Sequence, residues 1–275
     1  MITPEISLYK ELGEGGFSKV FQAIHTLQPG AMFAVKIFKE GVSPQSTIDE
    51  FNALKDVNHP NIVRFKFNGT TYGGLFYTLM EFINGKDIRE YCLGDKYFTL
   101  PIIYKFIHEM ASALVYLHAR KLRHRDIKPE NIMFRVDYHT GQRMPVLIDF
   151  GLAKHFDDKG KPTSTIRVQG CSDGFAPVEQ YSGLQTFSPQ ADVYALGAVL
   201  YYMLVGRVPI IATEMQRDTV EKALPPTVSD AVRFAISRAM AYNKYDRTAT
   251  VDDFVMEICP TAQPEIAVSY THLRA

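Results

Sequence analysis

Apolar and polar residues alternate from Tyr9 to Ala23 (YKELGEGGFSKVFQA) on either side of Gly13, Gly15 and Gly16. That pattern predicts two strands joined by a glycine turn. The alternation resumes in AMFAVKIF, a strand that carries Lys36, and again from Ile62 to Phe67 and from Leu75 to Phe82. Between these strands, Ile48, Phe51 and Leu54 recur every three residues, which predicts a helix over Thr47 to Val57 with Glu50 beside its apolar face. Asn84-Gly85-Lys86 breaks the pattern and marks the crossing into a second lobe. Beyond it, Thr99 as cap and Pro101 in the first turn open a helix. Its period is held by Ile103, Phe106, Ile107, Met110, Leu114 and Leu117 as far as His118. The short runs Ile132–Phe134 and Val146–Ile148 read as strands. The longest apolar run, Val193 to Val205, is too short to span a bilayer and reads as a buried helix. Helical segments follow from Thr213 to Ile258, broken at Pro225-Pro226, and the tail from Val268 has no core pattern.

Composition changes this picture little. A chain of 275 residues can bury a sizeable core, and 46% apolar with 22% charged residues is ordinary for a globular protein. A formal net charge of zero argues against nucleic acid as a partner. Cys92, Cys171 and Cys259 show no paired spacing, so neither a disulfide framework nor a zinc site is expected, and a cytoplasmic location is. Met1 to Lys10 lacks the apolar core of a secretory signal, and no membrane span is expected.

The candidate chemistry gathers between Leu122 and Lys154. Asp126 and Lys128 lie two apart in a segment with no helical or alternating pattern, hence a loop. Asn131 precedes one short strand and Asp149 follows the other. An amide and a carboxylate at the ends of paired strands can share one hard cation such as Mg²⁺, with phosphates and water completing the shell. Asp126 is then free to accept a hydroxyl proton, and Lys128 to neutralise a transferred phosphoryl group. Lys36 on a buried strand requires a partner. Glu50 is the candidate, with Asp49 as the neighbouring alternative.

HRDIKPEN followed by DFG resembles the catalytic loop and metal-binding turn of the eukaryotic-type, or Hanks-type, protein kinases. The resemblance covers roughly residues 5 to 258 and implies an α+β, bilobal protein-kinase-like fold. Its small, mostly antiparallel β lobe with one main helix would occupy residues 1–83, and a large, mostly helical lobe residues 84–260, leaving 261–275 as a tail. It further implies that Leu12, Gly13, Gly15, Gly16 and Val20 cover the nucleotide phosphates and adenine, with Ala34 packing above the base. Lys36, oriented by Glu50, would grip the α and β phosphates. Met80, Glu81, Ile83 and Met133 would frame the adenine, and Asp87 would bind the ribose, with a helix N-terminal acid as the alternative reading of Asp87. Ser18 stands where the family usually has its third glycine. Asp126 and Lys128 would be catalytic, Asn131 and Asp149 would hold the metal, and Lys128 marks the serine/threonine type.

Regulation is implied by the same likeness. Arg125 would gather the activation segment, Phe150 and Gly151 complete the metal turn, and His124 packs on Phe150. Thr163, Ser164 and Thr165 are candidate phosphate acceptors in the following loop. The segment GCSDGFAPVEQY resembles the APPEQ variant of the family's APE motif, and Glu179 is expected to pair with Arg247. The family's threonine that bonds the catalytic aspartate and lysine would fall near Cys171 or Ser172, with one residue inserted. This segment and ADVYALGAVLYYMLVGR resemble bacterial members. Arg123 replaces the apolar residue expected there. The implied activity is transfer of the γ-phosphoryl of Mg·ATP, with Mn²⁺ as an alternative metal, to a serine or threonine of a protein, with transient self-association for autophosphorylation. The competing expectation is a pseudokinase scaffold or nucleotide sensor, although none of the polar positions above is lost.

Overall fold

In the computed structural model, which describes residues 5–28, 30–93, 98–151, 154–155, 171–181, 188–214 and 217–259, the chain divides into two compact units, Met1–Asn84 and Gly85–Ala275. The first is built on five antiparallel strands: β1 (Ile6–Glu14), β2 (Ser18–His25), β3 (Met32–Phe38), β4 (Phe65–Thr70) and β5 (Phe76–Glu81). They are ordered β1-β2-β3-β5-β4. The Gly15 N–H donates to the Ser18 carbonyl at 2.8 Å and closes the β1–β2 turn. Side chains alternate across the sheet. Ile6, Ala23, Val35, Tyr77 and Leu79 form a buried cluster, with Leu8, Phe33 and Ile37 packed against it. Ala34 and Lys36 therefore face the opposite side.

Helix α1 (Pro44–Leu54) begins and ends earlier than the predicted Thr47–Val57, because Pro44 opens its first turn. Its packed stripe also differs from the expected Ile48, Phe51 and Leu54. Thr47, Glu50 and Leu54 are buried, while Ile48 and Phe51 are half-buried. The helix is rotated so that Glu50 lies on the packed face, not beside it, and it packs on β4 and β5.

The second unit starts at Gly85, in the segment expected to mark the crossing, and that segment forms a strand, β6 (Gly85–Asp87), paired to the later strand Ile132–Val136. Only glycine fits at its first position, since a Cβ there would lie 1.8 Å from the Phe134 carbonyl oxygen. Short helix α2 (Ile88–Tyr91) follows, then α3 (Leu100–Ala119), β7 (Leu122–Arg123), a 3₁₀ turn (Pro129–Asn131), and the hairpin β8 (Ile132–Val136) and β9 (Arg143–Leu147). Strand β10 (Lys154–His155) pairs with β7. Helices α4 (Val178–Tyr181), α5 (Gln190–Val205), α6 (Arg217–Ala223), α7 (Asp230–Ala239) and α8 (Val251–Ile258) complete the unit.

Helix α3, and not the longest apolar run Val193–Val205, is long and apolar enough to cross a membrane by length and composition. Ile103, Phe106, Ile107, Met110, Leu114 and Leu117 bury one face of it, packed on α5, α8, β7 and β9. This is how a core helix is placed. Thr99 precedes α3 with extended backbone, but its hydroxyl makes no capping bond. Helix α5 is buried around nearly its whole circumference, as its unbroken apolar sequence requires. It stops at Gly206, whose left-handed backbone (φ 73°) lets its N–H reach the Tyr202 carbonyl at 2.8 Å.

Candidate active site

In the first unit, strand register sets the side chains in rows. Gly13 pairs with Val20, Val20 with Lys36, and Lys36 with Thr78. In the adjoining row Ala34 pairs with Met80, and Met80 with Phe65. Directly paired residues of antiparallel strands share a face, so Val20, Ala34, Lys36 and Met80 lie together on one side of the sheet. Leu12 falls at a register shift between Glu11 and Gly13, and Gly16 lies in the turn beyond. Lys36 is only 8% exposed, and its Nζ reaches Glu50 Oε1 at 3.4 Å. Asp49, the alternative partner, instead accepts from Gln45 at 2.8 Å. A buried ammonium is tolerable only with such a partner. Glu81 ends β5 and ties to Arg64: its N–H donates to the Arg64 carbonyl, and its Oε1 accepts from the Arg64 N–H. Ile83 is buried beyond it.

In the second unit the loop after β7 brings four polar side chains into one network. Lys128 Nζ lies 2.9 Å from Asp126 Oδ2. Asn131 Nδ2 donates to the same oxygen at 2.9 Å and to the Asp126 carbonyl at 2.8 Å. The fourth member is Ser172, whose hydroxyl donates to Asp126 Oδ1 at 2.7 Å and accepts from Lys128 Nζ at 3.1 Å. Of the two residues the sequence left open, Ser172 and not Cys171 bridges the aspartate and the lysine. Cys171 is half-buried, and burial pushes its thiol up.

The backbone of this loop is unusual: Arg125 adopts φ +68°, a region that L side chains seldom occupy. Asp192, fully buried near the start of α5, holds it there. Its Oδ1 accepts from the Arg125 N–H at 2.9 Å, and its Oδ2 from the His124 N–H at 3.1 Å and from His118 Nε2 at 2.7 Å. Burial pushes the Asp192 carboxyl up, but the hydrogen bond and charge of His118, then the Arg125 amide, outweigh it and bring the carboxyl down to about 2. His118 was assigned no role from sequence. A lone histidine at the end of a helical pattern carries no signal of a partner 74 residues on. His124 is buried with its ring 4.6 Å from that of Phe150. Burial lowers its pKa and keeps the ring neutral, so Nδ1 can accept the Asp126 N–H at 3.3 Å.

Asn131 and Asp149 are brought together by the hairpin. Ile132 pairs with Leu147, and the Ile148 N–H donates to the Asn131 carbonyl at 3.0 Å. The Asn131 amide nitrogen is spent on Asp126, which leaves Oδ1 as its outward acceptor. Asp149 Oδ1 accepts from the Gly151 N–H at 3.0 Å, so the turn orients the carboxylate. One carboxylate and one amide oxygen fit Mg²⁺, which binds through one or two such groups plus phosphate oxygens. Among the described residues no cluster of three His, Cys, Asp or Glu offers another metal site.

Asp87 is the helix cap that the sequence left as an alternative. It closes a capping box on α2, accepting from the Glu90 N–H at 2.8 Å while Glu90 accepts its N–H at 3.2 Å. Burial raises its pKa. Met133 pairs with it from β8. Arg123, unexplained from sequence, donates to the His118 carbonyl at 3.4 Å and to its neighbour Leu122 at 3.0 Å. Its cation thus lies at the carbonyl end of α3. Arg247, with a side chain inaccessible to solvent, forks onto Glu179 through Nη1–Oε1 at 2.7 Å and Nη2–Oε2 at 2.9 Å. Thr163, Ser164 and Thr165 lie outside the described residues.

Comparison with known proteins adds identity to this geometry. The sequence model of the family described as "Protein kinase domain" matches residues 6–263. Serine/threonine-protein kinase Sgk1 from Bos taurus is 32% identical over 260 residues, covering 90% of this chain and 58% of that protein. The Homo sapiens protein of the same name matches to the same extent. The Danio rerio one is 30% identical over 265 residues, covering 91% of this chain and 58% of its own. The chain therefore spans a little over half the length of these relatives. All three are vertebrate proteins and lend no support to the bacterial origin expected from APVEQ and the α5 wording.

Proposed function

The chain belongs to the protein kinase domain family, and we propose that it transfers the γ-phosphoryl of ATP to a serine or threonine hydroxyl of a protein. The observation that carries this reading is the closed network of Asp126, Lys128, Asn131 and Ser172. It holds the Asp126 carboxylate in one orientation with an ammonium 2.9 Å away, which supports the reading that Asp126 deprotonates an incoming hydroxyl and Lys128 meets negative charge. In the reaction the acceptor oxygen bonds to the γ-phosphorus while the bond from that phosphorus to the ADP oxygen breaks. The hydroxyl proton passes to Asp126, and Lys128 offsets the charge on the moving group. Lys36, oriented by Glu50, binds the α and β phosphates. Asn131 and Asp149 would hold Mg²⁺, which would supply positive charge to the phosphate oxygens. Positioning and charge neutralisation do most of the work in such transfers.

Regulation by phosphorylation of the segment holding Thr163, Ser164 and Thr165 belongs to the same reading. Arg125 precedes the base and would receive the added phosphate. Three thiols without disulfides agree with a cytoplasmic setting. Asp126→Asn tests the assignment. It should lose transfer by at least about a thousandfold, about 4 kcal/mol in the barrier, while Mg·ATP affinity measured by calorimetry stays near wild type. Turnover surviving in that variant would refute the base.

A further inference from the structure

One peptide unit decides where Asp126 points, the one joining Arg125 to it. Its N–H end is held by His124 Nδ1 at 3.3 Å. Its carbonyl end is held from outside the loop: Gln180 Nε2 donates to the Arg125 carbonyl at 2.8 Å. Arg125 is also the residue with φ +68°, so the peptide plane after it is oriented by contacts, not by local preference. Gln180 sits on α4, next to Glu179, and Glu179 is locked to Arg247 by two bonds of 2.7 and 2.9 Å. A short, stiff path therefore runs from a buried ion pair through one turn of helix to the plane that carries the base.

We propose that Gln180 is a positioning residue for Asp126: by donating to the Arg125 carbonyl it fixes the peptide that aims the carboxylate, and makes that aim depend on the docking of α4. The inference rests on Asp126 being the base. A glutamine suits the position because it donates without adding charge beside the Arg125 carbonyl. A glutamate there would set two acceptors against each other, and an apolar side chain would leave the peptide free to rotate. A displacement of the reacting group on the order of 1 Å costs up to about a hundredfold in rate.

The test compares wild type with Gln180→Met, which keeps the volume and removes the donor, and Gln180→Glu, which replaces donor by acceptor. Steady-state transfer from Mg·ATP to a degenerate serine/threonine peptide mixture should show kcat falling by about 10- to 100-fold. KM for ATP should stay within about twofold and the melting temperature should be nearly unchanged, because the Glu179–Arg247 pair is left intact. The Asp126 amide should exchange its hydrogen faster in both variants, a signature that a purely structural role of α4 would not give. Full kcat in both variants, or a loss of kcat that tracks a loss of melting temperature with Asp126 exchange unaltered, overturns the proposal. Asp126→Asn is assayed beside them. If it too retains turnover, the base assignment falls, whereas a dead Asp126→Asn beside a fully active Gln180→Met removes only the role of Gln180.

Discussion

Replacing Ser172 by alanine deletes one hydroxyl that makes two contacts, to Asp126 Oδ1 at 2.7 Å and from Lys128 Nζ at 3.1 Å. Hydrogen bonds to charged groups contribute about 1.5–3 kcal/mol each when the partner is left unsatisfied. Neither partner is fully stranded here. Lys128 still meets Asp126 at 2.9 Å, and their side chains are 27% and 14% exposed, so water can replace part of what is lost. The low end therefore applies, about 1.5 kcal/mol, which is roughly a tenfold fall in kcat. ATP binding does not involve the hydroxyl in this reading, so KM for ATP should hold. Ser172→Thr retains the hydroxyl and should recover most of the rate. Cys171→Ala, altering the other residue that sequence alone allowed, should leave turnover as it was. The assay is steady-state phosphate transfer to a serine peptide with the four proteins side by side. A fall in Cys171→Ala with Ser172→Ala untouched would show that the bridge assigned to Ser172 does not operate in the working enzyme.

Asp192→Asn should destabilise the chain by roughly 3–5 kcal/mol at pH 7, since a buried carboxylate with three donors becomes an amide that turns one donor against another. The native carboxyl lies below its unfolded value, at about 2, so its stabilisation is complete above about pH 4 and fades as pH falls toward 2. Urea unfolding should accordingly show the gap between wild type and variant narrowing by about 2 kcal/mol over that acid range. An equal gap at pH 6 and pH 3 would contradict the assignment. Removing one partner of the Glu179–Arg247 pair, as in Glu179→Leu or Arg247→Met, should cost about 3–5 kcal/mol in denaturant melts. The double replacement should recover much of that loss, and strictly additive losses would mean the two residues are not coupled.

The side-chain network to which the proposed chemistry is assigned was largely legible because its residues are written close together. Asp126, Lys128 and Asn131 fall within six residues, and Asp149 follows a short apolar run that pairs back onto the strand after Asn131. Lys36 was legible for a different reason: alternation placed it on a buried strand, and burial of an ammonium demands a carboxylate. Where the reading failed, the missing information was the rotation of a helix or a contact across long separation. Ile48, Phe51 and Leu54 give a valid helical stripe, yet the buried positions are Thr47, Glu50 and Leu54, a rotation that brings Glu50 onto Lys36. Ser172 and Cys171 are adjacent and both polar, and which one meets Asp126 depends on a fold-back over 46 residues that spacing does not encode. His118 ends a helical pattern with nothing to mark it. Gly85 marks the crossing between the units as expected, but the pattern did not reveal that it also opens a strand passing too close to Phe134 for any side chain.

These failures share a cause that bears on how the site works. The left-handed backbone at Arg125 costs about 1–2 kcal/mol for a residue with a side chain, and within HRDIKPEN only His124 and Asn131 reach the backbone beside it, through the Asp126 N–H and carbonyl. The compensation comes from elsewhere: Asp192 on α5 takes the Arg125 and His124 amides, and His118 at the end of α3 takes the second oxygen of Asp192. Each such charge-assisted bond contributes about 1.5–3 kcal/mol, enough together to hold a conformation the loop would not keep alone. Asp126, Lys128 and Asn131 are therefore local in sequence, while the loop that presents them is held by the end of α3 just before it and by Asp192, 67 residues beyond Arg125. A loosening of α5 or of the end of α3 should then lower transfer with every catalytic side chain still present.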